Sequence, residues 1–242
     1  MSHLRSVLTH TSEVKFVVDA ATGAAVTDWM RHFLMPDPNG TGPHGDQYRI
    51  STIYFDTDDR DVFHRRGSFG RAKYRVRRYN NGDSVFFERK LRRPGVLAKR
   101  RTQVPLAPRY SELHEWDAWD VRWFRRRVRV RGLRPVCQID YTRVARHAYQ
   151  GALRVTVDSG LQCASRTTLG FAPIIRETWL PDQMIVELKV RQHVPAICKQ
   201  LIETLGLVPR TLSKYRSGLA SVETDLLAPP IGPLAIAEAL RV

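Results

Sequence analysis

Lys73-Tyr74-Arg75-Val76-Arg77 alternates cation and apolar residue, and in an extended chain successive side chains point to opposite faces. Lys73, Arg75 and Arg77 therefore share one face, while Tyr74 and Val76 share the other. This is the pattern of a strand with one basic wall and one apolar wall. Asn80-Asn81-Gly82-Asp83 follows, a cluster that tolerates the backbone angles of tight turns. The chain is thus predicted to return over Ser84–Leu91 as the second arm of a hairpin, with Glu88 and Lys90 on one side.

The same division recurs elsewhere. Ala152–Gly160 sets Arg154, Thr156 and Asp158 opposite Leu153, Val155 and Val157, and Met184–Val190 sets Glu187 and Lys189 opposite Val186 and Leu188. Further strands are predicted over Glu13–Val18, Tyr48–Phe55, Arg100–Leu106 and Val136–Ala145, giving about eight in all. Helical spacing of apolar residues marks Thr22–Leu34, Ser111–Arg127 and Pro195–Leu205, the last ended by Gly206. Pro36–Gly45 reads as a loop, and the residues from Ala228 onward as a loosely held tail. The expected class is α+β: an antiparallel eight-stranded β-barrel with peripheral helices, one domain over residues 1–225 and a tail over 226–242.

Composition narrows the partners. With 43% hydrophobic residues the chain can bury a core. Its 39 Lys and Arg against 24 Asp and Glu give a formal net charge of +15, an excess that favours anionic ligands. Cys137, Cys163 and Cys198 lie far apart, which points to neither a disulfide framework nor a zinc site. The histidines show no helical HxxxH spacing. There is no GxxxxGK[ST] loop and no RNP-type aromatic motif, so a P-loop site, an RRM and specific nucleic-acid recognition all lose support. The N-terminus lacks a signal peptide's apolar core, and no apolar run approaches the ~20 residues of a bilayer span. A cytoplasmic location is expected.

Charged strand faces become informative if the sheet closes. One face of each strand must then point inward, and an interior lined by Lys and Arg requires water and a polyanion to fill it. A phosphate chain meets that need through charge-assisted hydrogen bonds. The acidic residues among the cations (Glu187 beside Lys189, Glu88 beside Lys90, Glu13 beside Lys15) are either ion pairs or oxygen ligands for Mg2+ or Mn2+ bridging to phosphate. Glu187 is the first candidate ligand, with Glu13 and Glu88 behind it.

The segments EVKF (Glu13–Phe16), YRISTIYFDT (Tyr48–Thr57), KYRVRRY (Lys73–Tyr79), FERK (Phe87–Lys90), DYTRVA (Asp140–Ala145), LRVTVD (Leu153–Asp158), VELKV (Val186–Val190) and LSKYRSG (Leu212–Gly218) resemble, in this order, the VTC domain within the triphosphate tunnel metalloenzymes. The resemblance runs from about Glu13 to Gly218 and implies an antiparallel tunnel barrel. It implies phosphate-binding cations at Lys15, Arg75, Arg77, Lys90, Arg143, Arg154, Lys189 and Lys214, and a metal-binding glutamate at Glu187. It departs from the family near its end, where a lysine is often found and this chain has Thr211, with Arg210 adjacent.

The resemblance implies a polyphosphate polymerase that moves the γ-phosphoryl group of ATP onto polyphosphate or pyrophosphate. The acceptor oxygen is already ionised, so no Ser, Cys or His nucleophile and no general base is required. A hydrolase on the same fold would cleave a triphosphate with water oriented by Glu13, Glu88 or Asp158. A non-catalytic binding protein would hold polyphosphate, RNA or a membrane on its basic surface. The run Arg122–Arg134 is the best feature for that third reading, and also for a peripheral contact with a membrane or membrane protein.

Overall fold

The computed structural model describes residues 11–93, 96–106, 121–148, 151–176, 178–191 and 194–227. It contains nine strands: β1 (Thr11–Asp19), β2 (Met35–Pro36), β3 (Gln47–Asp56), β4 (Ala72–Tyr79), β5 (Ser84–Arg93), β6 (Val96–Pro105), β7 (Arg134–His147), β8 (Leu153–Ser165) and β9 (Gln183–Arg191). Four α-helices accompany them: α1 (Ala20–Phe33), α2 (Arg122–Val130), α3 (Ala196–Thr204) and α4 (Lys214–Leu227). The strands are hydrogen-bonded in the order β1-β9-β8-β7-β3-β4-β5-β6, with β2 pairing β7 off that path. This is the α+β antiparallel architecture expected from the sequence.

The described residues fall into two compact units, one drawn from Ile50–Asp140 and Cys163–Arg176, the other from Thr9–Arg49, Tyr141–Gln162 and Glu177–Val242. In the second unit, β1, β9 and β8 pair antiparallel with Lys15 opposite Glu187 and Thr156 opposite Glu187. Their apolar faces present Phe16, Val18, Val155, Val157, Val186 and Leu188 to Val26 and Met30 of α1 and to Cys198 and Leu201 of α3. Asp19 starts α1, its carboxylate accepting from the Thr22 N–H at 2.7 Å, which satisfies one of the donors a helix start leaves open.

In the first unit, β4 and β5 form the predicted hairpin. Asn80 and Asn81 both take positive φ (48° and 54°), the region that asparagine enters at modest cost. The Arg78 guanidinium donates to the carbonyls of Asn81 and Gly82 and clasps the turn. Behind the sheet, Phe124 of α2 is fully buried and meets Phe55, Tyr74 and Phe87 edge-on at ring centroids 5.3, 5.8 and 5.2 Å apart. Phe124→Ala should therefore cost about 3–5 kcal/mol, since the hole has rigid walls; the urea midpoint measures this.

Two elements differ from the sequence reading. The helix predicted over Ser111–Arg127 is observed over Arg122–Val130, its earlier part lying outside the described residues. The run after Arg127 continues as helix to Val130, because Phe124 and Val128, four residues apart, keep the same apolar side turned to the sheet. Helix α4 was not predicted at all: with Gly218 and Ser217 early in the segment and only short apolar spacing, LSKYRSG carries a weak helical signal. Of the tail predicted over 226–242, the first two residues belong to α4 and the rest lie outside the described residues.

Candidate functional site

In the first unit, the antiparallel register lays charged residues in rows across β4, β5 and β6. Lys73, Lys90 and Lys99 form one row, Arg75, Glu88 and Arg101 the next, and Arg77, Phe86 and Gln103 the third. Residues directly opposite in such a sheet share a face, so these three rows set six cations against one carboxylate. Glu88 is buried. Its Oε2 accepts from Arg75 Nε at 2.7 Å, and its Oε1 lies 3.1 Å from Lys99 Nζ and 3.4 Å from Arg101 Nε. Burial pushes this carboxyl up, but Arg75, Arg77, Lys99 and Arg101 outweigh it and hold it well below the ordinary range. Arg77 is anchored by donating from Nε to Thr52 Oγ1 at 3.1 Å. Arg101 also lies over the Phe86 ring, 3.7 Å from its centroid.

The second unit has its own charged face. Glu13, Lys189 and Arg154 form one row across β1, β9 and β8, and Lys15, Glu187 and Thr156 the next. Lys189 Nζ is 2.7 Å from Glu187 Oε1, and Lys15 Nζ is 3.0 Å from Glu13 Oε1. Burial pushes the Glu187 carboxyl up, yet Lys189, Lys214, Lys15 and Arg143 together hold it well below the usual carboxylate range. Beside it, Asp158 is fully buried and grips Arg143 through two hydrogen bonds, at 2.5 and 2.7 Å, while Lys214 Nζ sits 2.6 Å from its Oδ2. The Tyr141 ring lies 5.5 Å from the Arg143 guanidinium and 5.3 Å from the Lys214 ammonium.

Lys214 opens α4. A lysine in the first turn opposes the helix dipole, so its place there is explained by its partner, Asp158, rather than by the helix. Ser213 assists the start, its hydroxyl accepting from the Arg216 N–H at 3.4 Å. Arg154 is held differently: its guanidinium donates to Asp37 (2.7 and 3.1 Å) and to the Tyr48 hydroxyl (2.8 Å). Asp37 stands in the predicted loop and itself accepts from the backbone and side chain of Asn39.

Among the described residues no group of three or more His, Cys, Asp or Glu converges to hold a metal. The donor chemistry nevertheless suits a hard divalent cation. Glu187 and Glu13 lie diagonally on adjacent strands, and the Thr156 hydroxyl in Glu187's row is buried with no hydrogen-bond partner. Such oxygen-only sets are completed by water and by a substrate's phosphate oxygens. Glu88 has no second carboxylate opposite or diagonal to it on β4 or β6 and fits a metal least.

The structure thus brings Lys15, Arg143, Arg154, Lys189, Lys214, Glu13 and Glu187 onto faces of one unit, and Arg75, Arg77, Lys90 and Glu88 onto a face of the other. Sequence reading missed Lys99 and Arg101. The strand was started at Arg100, and in Lys99-Arg100-Arg101 the cations fall on both faces, which hides the alternation; Arg100 faces away and stacks on Trp123 at 4.5 Å. Asp158, one of the three carboxylates named for orienting water in the alternative hydrolase reading, is clasped by Arg143 and Lys214.

The antiparallel α+β architecture, with opposed apolar and cation-rich strand faces, matches the fold expected of a triphosphate-tunnel protein. The chain belongs to the VTC domain family, whose model matches residues 10–223. Solved structures share the fold: a candidate adenylate cyclase from Bacillus halodurans superposes with a TM-score of 0.53 at 15% identity, covering 83% of this chain and 92% of that one. A candidate adenylyl cyclase from Hippeastrum, described as having a dominant triphosphatase activity, gives 0.53 at 14% identity, covering 87% and 95%. The PH1819 protein of Pyrococcus horikoshii gives 0.51 at 14% identity, covering 89% and 99%. No curated protein matched the sequence. Among the described residues no helix is long and apolar enough to cross a membrane.

Proposed function

We propose that the protein is an ATP-dependent polyphosphate polymerase. The observation that carries this reading is the excess of six cations over one carboxylate across β4, β5 and β6, which suits a ligand with a charge on every unit of its length. The γ-phosphoryl group of ATP is transferred to the terminal oxygen of a polyphosphate or pyrophosphate: the bond from the γ-phosphorus to the bridging oxygen breaks, ADP leaves with that electron pair, and the acceptor lengthens by one phosphate. The acceptor oxygen carries its charge already, so no proton has to be removed. The work of the chain is to hold both phosphates in line and to stabilise charge.

Arg75, Arg77, Lys90 and Lys189 offer donors to phosphate oxygens, and Arg143, Lys214 and Lys15 set the potential around Glu187. Mn2+ or Mg2+, held by Glu187 with Glu13, would supply neutralisation at the phosphate oxygens. A hydrolytic reading is less well served by these residues. Orienting water calls for a carboxylate able to accept a proton, and Glu13, Glu88, Asp158 and Glu187 are each ion-paired.

Incubation with γ-labelled ATP, Mn2+ or Mg2+ and a pyrophosphate primer tests the proposal. A ladder of lengthening chains supports it; release of orthophosphate alone identifies a hydrolase; no turnover with either metal leaves a binding protein. Arg75→Ala should weaken tripolyphosphate binding by roughly ten- to a hundred-fold, the worth of one hydrogen bond between charged groups. Titration calorimetry reads this, with circular dichroism unchanged.

A further inference from the structure

The first unit carries a second cationic surface, on the other side of its sheet from Lys73, Arg75 and Glu88. Helix α2 (RWFRRRVRV) has five arginines in nine residues and no acidic residue. It is seated by Phe124 and Val128, both buried, and by Trp123, whose Nε1 donates to Thr102 Oγ1 at 3.0 Å. With that side turned to the sheet, Arg122, Arg126, Arg127 and Arg129 are exposed.

These four arginines are unlike the others. Arg75, Arg143, Arg146 and Arg154 each have a carboxylate within 3 Å, whereas the side chains of the α2 four have no ion pair or hydrogen bond among the described residues. Their spacing makes matters worse for the isolated helix. Arg122 and Arg126 lie four apart and Arg126 and Arg129 three apart, so like charges are neighbours, and Arg122 sits at the positive end of the helix dipole. Nothing described on this chain offsets that repulsion, and an anion outside the chain would.

The form of the anion can be narrowed. Arg122 to Arg129 spans about 10 Å at the rise of an α-helix, too far for one phosphate to bridge, so the ligand is extended. Guanidinium forks match paired phosphate oxygens. Phe124 and Val128 are already buried and, of the apolar residues of α2, Val130 alone is exposed, which leaves no greasy stripe to enter a bilayer. Among the described residues of α2, Phe124 is buried and Trp123 is half-buried under the Arg100 guanidinium, so neither offers an open platform for a nucleobase.

We propose that the exposed face of α2 is a secondary binding site for long-chain inorganic polyphosphate, separate from the cation rows of β4, β5 and β6. The choice of phosphate chain rests on the polymerase reading, but the site itself is tested without turnover. The four arginines are changed together to Gln, leaving Phe124, Trp123 and Val128 in place. Binding of tripolyphosphate and of long-chain polyphosphate is then measured in metal-free buffer over a series of salt concentrations.

Long-chain affinity should fall at least ten-fold, and the slope of log affinity against log salt should shrink by about three, as expected when about four charge contacts are lost at roughly 0.7 each. Tripolyphosphate affinity should be unchanged. Unchanged long-chain affinity and slope would overturn the proposal, as would an equal loss for both ligands, which would mean that the rows and not the helix had been disturbed. Retained polyphosphate binding with loss of binding to phosphatidylserine vesicles would reassign the surface to a membrane. Absence of polymerase activity in the wild type would leave the binding result standing.

Discussion

Glu187→Gln is expected to remove metal-dependent turnover, by at least about a hundred-fold, because a neutral amide neither holds a divalent cation as a carboxylate does nor balances the charge around it. The physics also gives the variant a signature that simple misfolding would not. Lys189, Lys214, Lys15 and Arg143 converge on this carboxylate, so its loss leaves cations without their anion. Breaking a buried pair in this way costs about 3–5 kcal/mol, and solvent reaching Lys189 and Lys15 reduces that figure. The same uncompensated cations make a better receptor for a phosphate anion. In metal-free buffer the variant should bind tripolyphosphate as tightly as wild type or more tightly, and the ligand should raise its melting temperature by a larger step. Turnover at the wild-type rate with Mn2+ or Mg2+ would take Glu187 out of the site.

Asp158→Asn should cost more stability than Glu187→Gln. The carboxylate is wholly buried and holds both Arg143 and Lys214. An amide can accept from one of them but cannot balance either charge, and the expected cost is again about 3–5 kcal/mol. The pH dependence follows from its titration. Burial pushes the Asp158 carboxyl up, while Arg143 and Lys214 outweigh that and hold it below its ordinary value of 3.8. A depressed carboxylate contributes stability in full above its unfolded value and loses it as the pH falls through the folded one. The gap between wild type and variant, measured by urea unfolding, should therefore be widest near neutrality and narrow progressively below pH 3.8. A gap that stays constant with pH would assign the effect to packing alone. Because Asp158 fixes Lys214 and Arg143, the variant should also bind tripolyphosphate less tightly at neutral pH.

The sequence and the structure agree best where a residue's neighbours are set by strand alternation. Lys73 to Arg77, Arg154 to Asp158 and Glu187 to Lys189 could be placed on a charged face without coordinates, since the side-chain period of a strand is two and their opposite faces are plainly apolar. The partners were less legible. That Lys214 meets Asp158, or that Arg154 is tied to Asp37 in a loop, depends on contacts between segments 56 and 117 residues apart, which no local pattern encodes. Lys99 and Arg101 were lost for a different reason: where both faces of a strand are charged, alternation ceases to discriminate. Helix α4 was lost because a lysine and a glycine in its opening turns belong to the site and its packing rather than to helix propensity.

The Lys15 ammonium donates to the carbonyl of Leu212 at 3.2 Å, across 197 residues of chain, and Lys214 closes on Asp158 just beyond. During synthesis, β1 leaves the ribosome long before its neighbour in this pocket exists. Until the segment carrying Leu212 and Lys214 emerges and docks, Asp158 and Glu187 lack one of their cations. A nascent chain halted before that point lacks the Lys214 ammonium beside Asp158 and the Leu212 carbonyl beside Lys15, and so holds an unfinished charged centre. Maturation of the charged centre is thereby coupled to completion of translation through α4.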